Sequence, residues 1–412
     1  MPSSDTAAVA RPAPGFPEFV ALMAAMMALT ALSIDIMLPA LDRIRDDLQV
    51  EGANDQQLVV TAYVLGFAAG QLFHGPVSDW LGRRPVLFAG LAVYALASFA
   101  CMVASSLEML LAARFAQGVA NAAPRVIAIA VIRDVYGGRR MAEVMSFVIM
   151  VFIIVPILAP SVGSLFLLAG NWHLIFGFLG VVAMAVLTWS ALRLPETRPP
   201  ELREPLSVRW LAAAFARTLG TPQTLGYTLA TGVIFGTLMA YVGSAQQVFT
   251  VVYGIGPWFP LVFGLVAAGM ALAALINSRL VMRVGMRRIS HAAVLGFLAA
   301  ALVMALVSRG PAPPPLWLLI VLLSLCLFCF GLIMPNFNAL AMEPMGDIAG
   351  TASSFVGAVT TGMAASLGWF VGQRFDGTVA PLATGFAVLS ALGLAVILIT
   401  ERGRLFRAVS GP

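Results

Sequence analysis

Short polar links cut this chain into apolar runs, each long enough to cross a bilayer. A span takes about 20 mostly apolar residues. Such runs occur at approximately 18–39, 56–76, 85–104, 108–131, 143–167, 172–193, 222–248, 257–279, 289–308, 315–338, 349–372 and 380–400. In hydrocarbon the backbone must satisfy its own hydrogen bonds, which leaves only helices or a closed barrel. Continuous apolar runs lack the period-two alternation of barrel strands. The expected fold class is therefore an all-α membrane protein with twelve transmembrane helices. Composition agrees: 60% of the 412 residues are hydrophobic and 10% are charged, against roughly a quarter charged in a soluble domain.

The 24 basic residues are all arginine. With the N-terminus placed inside, eighteen fall in inside links or tails, among them Arg83, Arg84, Arg133, Arg193, Arg283 and Arg287. Four, Arg43, Arg45, Arg309 and Arg374, fall outside. That excess places both termini in the cytoplasm. It is a pattern of membrane topology, so no nucleic-acid partner is expected. Residues 1–17 do not read as a cleaved signal, and the first apolar run is expected to remain as the first span.

The longest link, 194–221, contains Pro195, Pro199, Pro200 and Pro205. It separates a six-helix half at 18–193 from a second at 222–400, with cytoplasmic segments at 1–17 and 401–412. The halves echo each other: Gly82-Arg83-Arg84 follows span two, and Gly285-Met286-Arg287-Arg288 follows span eight. Two halves with a repeated loop are the mark of a parallel repeat.

Polar groups inside the spans are the candidate functional residues, because they are expensive in lipid. Asp35 is the clearest acidic side chain within a span. Burial would raise the pKa of such a carboxyl and a nearby arginine would lower it. On span four, Arg114, Gly118, Asn121 and Arg125 share one helix face, with Gln117 beside them. This stripe is expected to face an aqueous cavity or buried partners, although Arg125 could instead snorkel to the interface. Pro156, Pro160 and Gly163 predict a kink in span five. Cys101, Cys326 and Cys329 lie in apolar runs, and Cys326-x-x-Cys329 lacks a second ligand pair. His74, His173 and His291 are scattered, so no metal site is expected.

The loop after span two sets Gly75, Asp79, Gly82, Arg83 and Arg84 in the spacing G-x-x-x-D-x-x-G-R-R. This closely resembles the signature of the major facilitator superfamily. Arg114, Gln117 and Gly118 are similar to its R-x-x-Q-G motif. The segment Asp35-Ile-Met-Leu38-Pro39-Ala40 is similar to the D-x-x-L-P-A segment of the bicyclomycin/chloramphenicol-resistance (Bcr/CflA) branch of twelve-span drug:proton antiporters. So are Leu65 to Gln71, Ile132-Arg133-Asp134 and Leu194-Pro195-Glu196-Thr197. Pro156 to Gly163 resembles the drug-antiporter motif without its usual leading glycines.

The resemblance implies the major facilitator fold and secondary active transport. It implies a conformational latch of Gly75, Asp79, Gly82, Arg83, Arg84 and Asp134 set against span eleven. Asp35 and Arg114 are the expected proton-coupling pair. Met27, Ser33, Tyr63, Phe67, Phe235 and Met239, with Asn121, are expected to line a midplane cavity. The expected function is proton-coupled efflux of apolar or cationic drug-like molecules from a bacterial inner membrane, by a monomer needing no cofactor. A transporter of sugars, amino acids or organic anions on the same scaffold is the alternative. No catalytic constellation points to an enzyme.

Overall fold

The computed structural model describes residues 14–52, 54–203 and 207–406. Most of the N-terminal segment 1–17, part of the linker and the end of the tail 401–412 lie outside the described residues.

Among the described residues the chain forms fourteen α-helices and no strand. The first half contains α1 (Phe16–Asp35), α2 (Leu41–Asp47), α3 (Leu58–Leu81), α4 (Arg83–Met102), α5 (Leu107–Val135), α6 (Gly138–Leu168) and α7 (His173–Arg193). The linker holds α8 (Val208–Gly220). The second half contains α9 (Pro222–Gln247), α10 (Phe259–Val284), α11 (Met286–Val307), α12 (Leu316–Met342), α13 (Ala349–Gly372) and α14 (Ala380–Thr400). All but α2 and α8 have 20 to 31 residues. At 1.5 Å per residue each of these twelve covers the roughly 30 Å hydrocarbon core, and they fall on the twelve apolar runs. The apolar stretch Leu316–Gly372 holds both α12 and α13. They are separated by a 3₁₀ turn in which Met345 leaves helical geometry, at φ −109° and ψ 19°.

Two short helices were not evident as separate elements. Span one stops at Asp35, because Pro39 sits in a 3₁₀ turn over Leu38–Ala40 before α2 begins. The linker carries α8, whose Ser207 side chain caps Trp210 N at 3.2 Å. Its Phe215 ring packs on Phe355 of α13 at 4.8 Å.

The echo between halves is conformational as well as sequential. Gly82 turns from α3 to α4 at φ 99°, ψ 160°, and Gly285 turns from α10 to α11 at φ 89°, ψ 151°. A side chain rarely tolerates this backbone region, so glycine is dictated at the same point of both halves. Within the first half, α3 and α5 cross at backbone contact. A Cβ added to Gly118 would lie 2.0 Å from the Tyr63 carbonyl oxygen, and one added to Gly66 would lie 2.1 Å from that of Phe115. Small residues at such crossings are how membrane helices gain close packing. Pro156 and Pro160 lie within a continuous α6 and do not terminate it. Gly163 brings α6 onto α1: its added Cβ would stand 1.8 Å from the Ile36 carbonyl oxygen.

Candidate functional site

Between the halves lies a cavity of about 290 Å³. The first half supplies Thr30 and Ile34 of α1, Tyr63, Phe67 and Gln71 of α3, and Arg125 of α5. The second supplies Thr231, Phe235 and Met239 of α9, Met334 and Asn338 of α12, and Thr360 and Thr361 of α13. Pro335 and Asn338 are exposed at its rim, on the stretch of α12 nearer the end that carries the chain termini. The cavity therefore opens toward that end.

Four of the expected lining residues, Tyr63, Phe67, Phe235 and Met239, line it. Met27, Ser33 and Asn121 do not. Met27 is buried in the apolar core. The Ser33 hydroxyl is engaged by Tyr94 Oη at 2.5 Å and donates to the Leu29 carbonyl at 2.6 Å. Asn121 Nδ2 donates to Tyr63 Oη at 2.5 Å, holding the tyrosine whose ring faces the cavity. Which face of a helix meets the cavity depends on its tilt and neighbours, and sequence periodicity carries neither.

The stripe on α5 divides by depth. Arg114 is fully buried and points at α1 and α3. Its Nε donates to the Val59 carbonyl at 3.0 Å, Nη2 to the Ser33 carbonyl at 3.1 Å and Nη1 to Gln117 Oε1 at 2.5 Å. The guanidinium carbon stands 4.4 Å from the Tyr63 ring centre and 5.7 Å from that of Phe176. Gln117 passes the network on to Ser98 Oγ at 2.7 Å. Buried charge is tolerated only when its hydrogen bonds are met, and here carbonyls and ring faces meet them. Arg114 is a clamp on three helices and makes no ion pair with Asp35 among the described residues, so the expected pairing of these two is absent. Gly118 is packed on α3. Arg125 alone of the stripe reaches the cavity, its guanidinium 5.5 Å from the Phe67 ring centre.

Asp35 lies at the C-terminal end of α1, 5% exposed, with no hydrogen bond or ion pair among the described residues. It does not line the cavity. It is close enough to Tyr241 of α9, in the other half, to interact electrostatically. The Tyr241 hydroxyl is likewise buried without a hydrogen-bond partner.

The loop after α3 gathers the expected latch residues. Arg83 Nη1 lies 2.7 Å from Asp79 Oδ1 and its Nε 2.9 Å from Asp134 Oδ2, at the end of α5. Nη1 also donates to Ser78 Oγ at 2.7 Å. Glu196, not singled out from the sequence, completes the loop. It accepts the backbone N–H of Arg83 at 2.9 Å and of Arg84 at 3.0 Å, a carboxylate on the positive end of α4. Its sequence signal was its place in the segment Leu194-Pro195-Glu196-Thr197, which gave it no role. The Arg84 side chain donates to the Ala191 carbonyl at 3.0 Å. Toward the second half, Gly75 faces Ser354 of α13, and Gln71 Nε2 donates to Thr361 Oγ1 at 3.2 Å. The latch loop thus stands beside α13, with Arg83 as the partner of Asp79.

At the end opposite the start of α1 and the close of α14, the halves are joined mainly by neutral polar groups, with Asp42 as the one carboxylate among the described residues. Gln57 Nε2 donates to Gln247 Oε1 at 2.5 Å and to the Gly372 carbonyl at 3.2 Å. Gln247 Nε2 donates to Asn54 Oδ1 at 2.8 Å, and Asn54 Nδ2 to the Gln373 and Phe375 carbonyls at 3.1 and 3.0 Å. Gln246 donates to Asp42. The molecule is sealed at this end and open at the other.

Two six-helix halves around a cavity open on one side define a multi-pass membrane transporter. Residues 22–372 match the family described as the Major Facilitator Superfamily, and the chain belongs to it. It is accordingly a transporter and not an enzyme. Among its relatives, a bicyclomycin resistance protein homolog of Haemophilus influenzae is 30% identical over 368 residues, 88% of this chain and 91% of the relative. Multidrug resistance protein D of Escherichia coli K12 is 30% identical over 385 residues, 90% and 93% of the two chains. Among solved structures, a D-xylose-proton symporter superposes with a TM-score of 0.75 at 14% identity, covering 95% of this chain and 98% of the other. That similarity speaks for the fold alone.

Proposed function

We propose that the protein exports drug-like small molecules in exchange for protons, by rocking its halves about the cavity, and that Asp35 carries the proton. The relatives named for bicyclomycin and multidrug resistance support the export of drug-like compounds. The observation that carries the proton assignment is the position of Asp35. It is a buried carboxyl at the seam between halves, without a hydrogen-bond partner among the described residues, and its electrostatic neighbour Tyr241 lies across the seam. Moving the halves apart would admit water to it. A carboxyl alternately dry and wet releases and takes up a proton as the conformation changes. Arg114 then acts as a positioning residue, fixing α1 through the Ser33 carbonyl two residues before Asp35.

The arginine distribution supports termini in the cytoplasm, which makes the described conformation open to the inside. A bacterial inner membrane, a monomeric state and the proton gradient as sole energy source complete this reading. The test is transport in liposomes with an imposed pH gradient. Asp35→Asn should bind substrate and insert normally yet lose gradient-driven flux and substrate-induced proton release. Retention of both by Asp35→Asn would move the proton site elsewhere.

A further inference from the structure

The cavity lining contains one formally charged residue, Arg125, and among the described residues no aspartate or glutamate. We propose that the cavity selects small amphipathic anions, with an aromatic or apolar body and one carboxylate-type group, and that Arg125 is the selecting residue. This rests on the cavity being the transport site of the reading above.

Three features support it. A guanidinium offers donors and no acceptor, in the geometry that matches a carboxylate. A ligand cation has the opposite need, a carboxylate or an open aromatic face. The Phe67 face is already occupied by Arg125, at 5.5 Å from the ring centre. Thr30 lines the same cavity, and its buried hydroxyl has no hydrogen-bond partner among the described residues. It is a polar group beside Arg125 whose hydrogen bond a ligand reaching it would satisfy. Phe235 and Met239 on the facing helix give the apolar surface for the ligand body. At about 290 Å³ the space sits at the small end of ligand cavities, which span roughly 300–1,000 Å³. A fixed cation about 5 Å from a guanidinium, at an effective dielectric near 20, binds on the order of a hundredfold more weakly than its neutral analogue.

The test uses three probes of one shape: 1-naphthoate, 1-naphthamide and 1-naphthylmethylammonium. Their equilibrium binding to the full chain in lipid nanodiscs is measured by calorimetry, without any gradient. Wild type should bind the naphthoate at least tenfold more tightly than the ammonium. Arg125→Gln should abolish that preference and Arg125→Lys should keep part of it. Equal or tighter binding of the ammonium, or no saturable binding of naphthoate, overturns the proposal, and the wild-type series decides this even if Arg125→Gln fails to fold. An unchanged preference in folded Arg125→Gln overturns the role of Arg125. Proton-gradient-driven flux in liposomes is read separately. Anion-selective binding without such flux would leave the site standing and remove the exporter reading. Driven flux of the ammonium without naphthoate binding would do the reverse.

Discussion

Arg83 carries the carboxylates of Asp79 and Asp134 on one guanidinium, at 2.7 and 2.9 Å, from a side chain only 1% exposed. The pairs differ in weight. The Asp134 side chain is mostly buried where it meets Arg83, although its backbone is exposed, while the Asp79 side chain is more than a third exposed and screened by water. Arg83→Ala should therefore destabilise the first half by on the order of 3 kcal/mol, because it leaves the Asp134 carboxylate without its charged partner and, among the described residues, with only the Thr197 hydroxyl as a hydrogen-bond donor. Asp79→Ala should cost little stability yet lower transport at least tenfold. Thermal unfolding and flux, measured on the same preparations, separate the two effects. Normal flux from both variants would remove the latch.

Glu196 caps the helix that begins with Arg83, although 113 residues separate them. Loss of a helix N-terminal cap costs about 0.5–2 kcal/mol. Glu196→Ala should sit in that range and also weaken transport, since it frees the turn that aims Arg83. Glu196→Gln, which keeps one acceptor oxygen, should be milder on both measures. Equal effects would mean that charge and not capping matters.

Gly163 and Gly118 give helix contacts too close for a methyl group. Overpacking of this kind costs about 1–3 kcal/mol, and here the obstructing atoms are backbone oxygens that cannot rotate away. Gly163→Ala pushes on the Ile36 carbonyl, one residue past Asp35, so it should disturb proton exchange more than Gly118→Ala does. Comparable losses of folding yield with equal residual coupling would refute that ordering.

Cysteine scanning of α5 should divide the polar stripe. Reagents added from the termini side should reach a cysteine at Arg125, and at Asn338 across the cavity. They should fail at Arg114, Gly118 and Asn121, which are packed inside the first half. Labelling at 118 would show that α3 and α5 part during transport.

The membrane fold was legible because twenty apolar residues in a row have one stable solution, and twelve such runs leave little choice. The pairing of Asp79 with Arg83 was legible because the two residues and the glycine between them are close in sequence. Asp134 was within reach only through its motif. Glu196 also stood in a matching segment, but its capping role was not readable there, since it depends on where the link after α7 returns. Nor was the division of the stripe between Arg114 and Arg125, because helix periodicity fixes a shared face without saying what covers each level of it. The amide seam joins Gln57 to Gln247 across 190 residues, and only the packing of the two halves brings them together. The helix α8 was missed because its thirteen residues are too few to span a bilayer, and its mostly apolar pattern with Arg209 and Arg217 was read as part of the link around it.

That seam of asparagine and glutamine has a consequence for the environment in which the protein can work. Side-chain amides do not titrate and carry no net charge, so the pairing of Gln57, Gln247 and Asn54 is insensitive to acidity and little affected by salt, which leaves Asp42 as the carboxylate of the seam. When the halves separate, water can take over each donor and acceptor with a small net change in free energy. The amide part of this gate is thus a nearly balanced exchange of partners. In the proposed cycle, such a gate leaves the direction of turnover to be set by what occupies the cavity and by the state of Asp35.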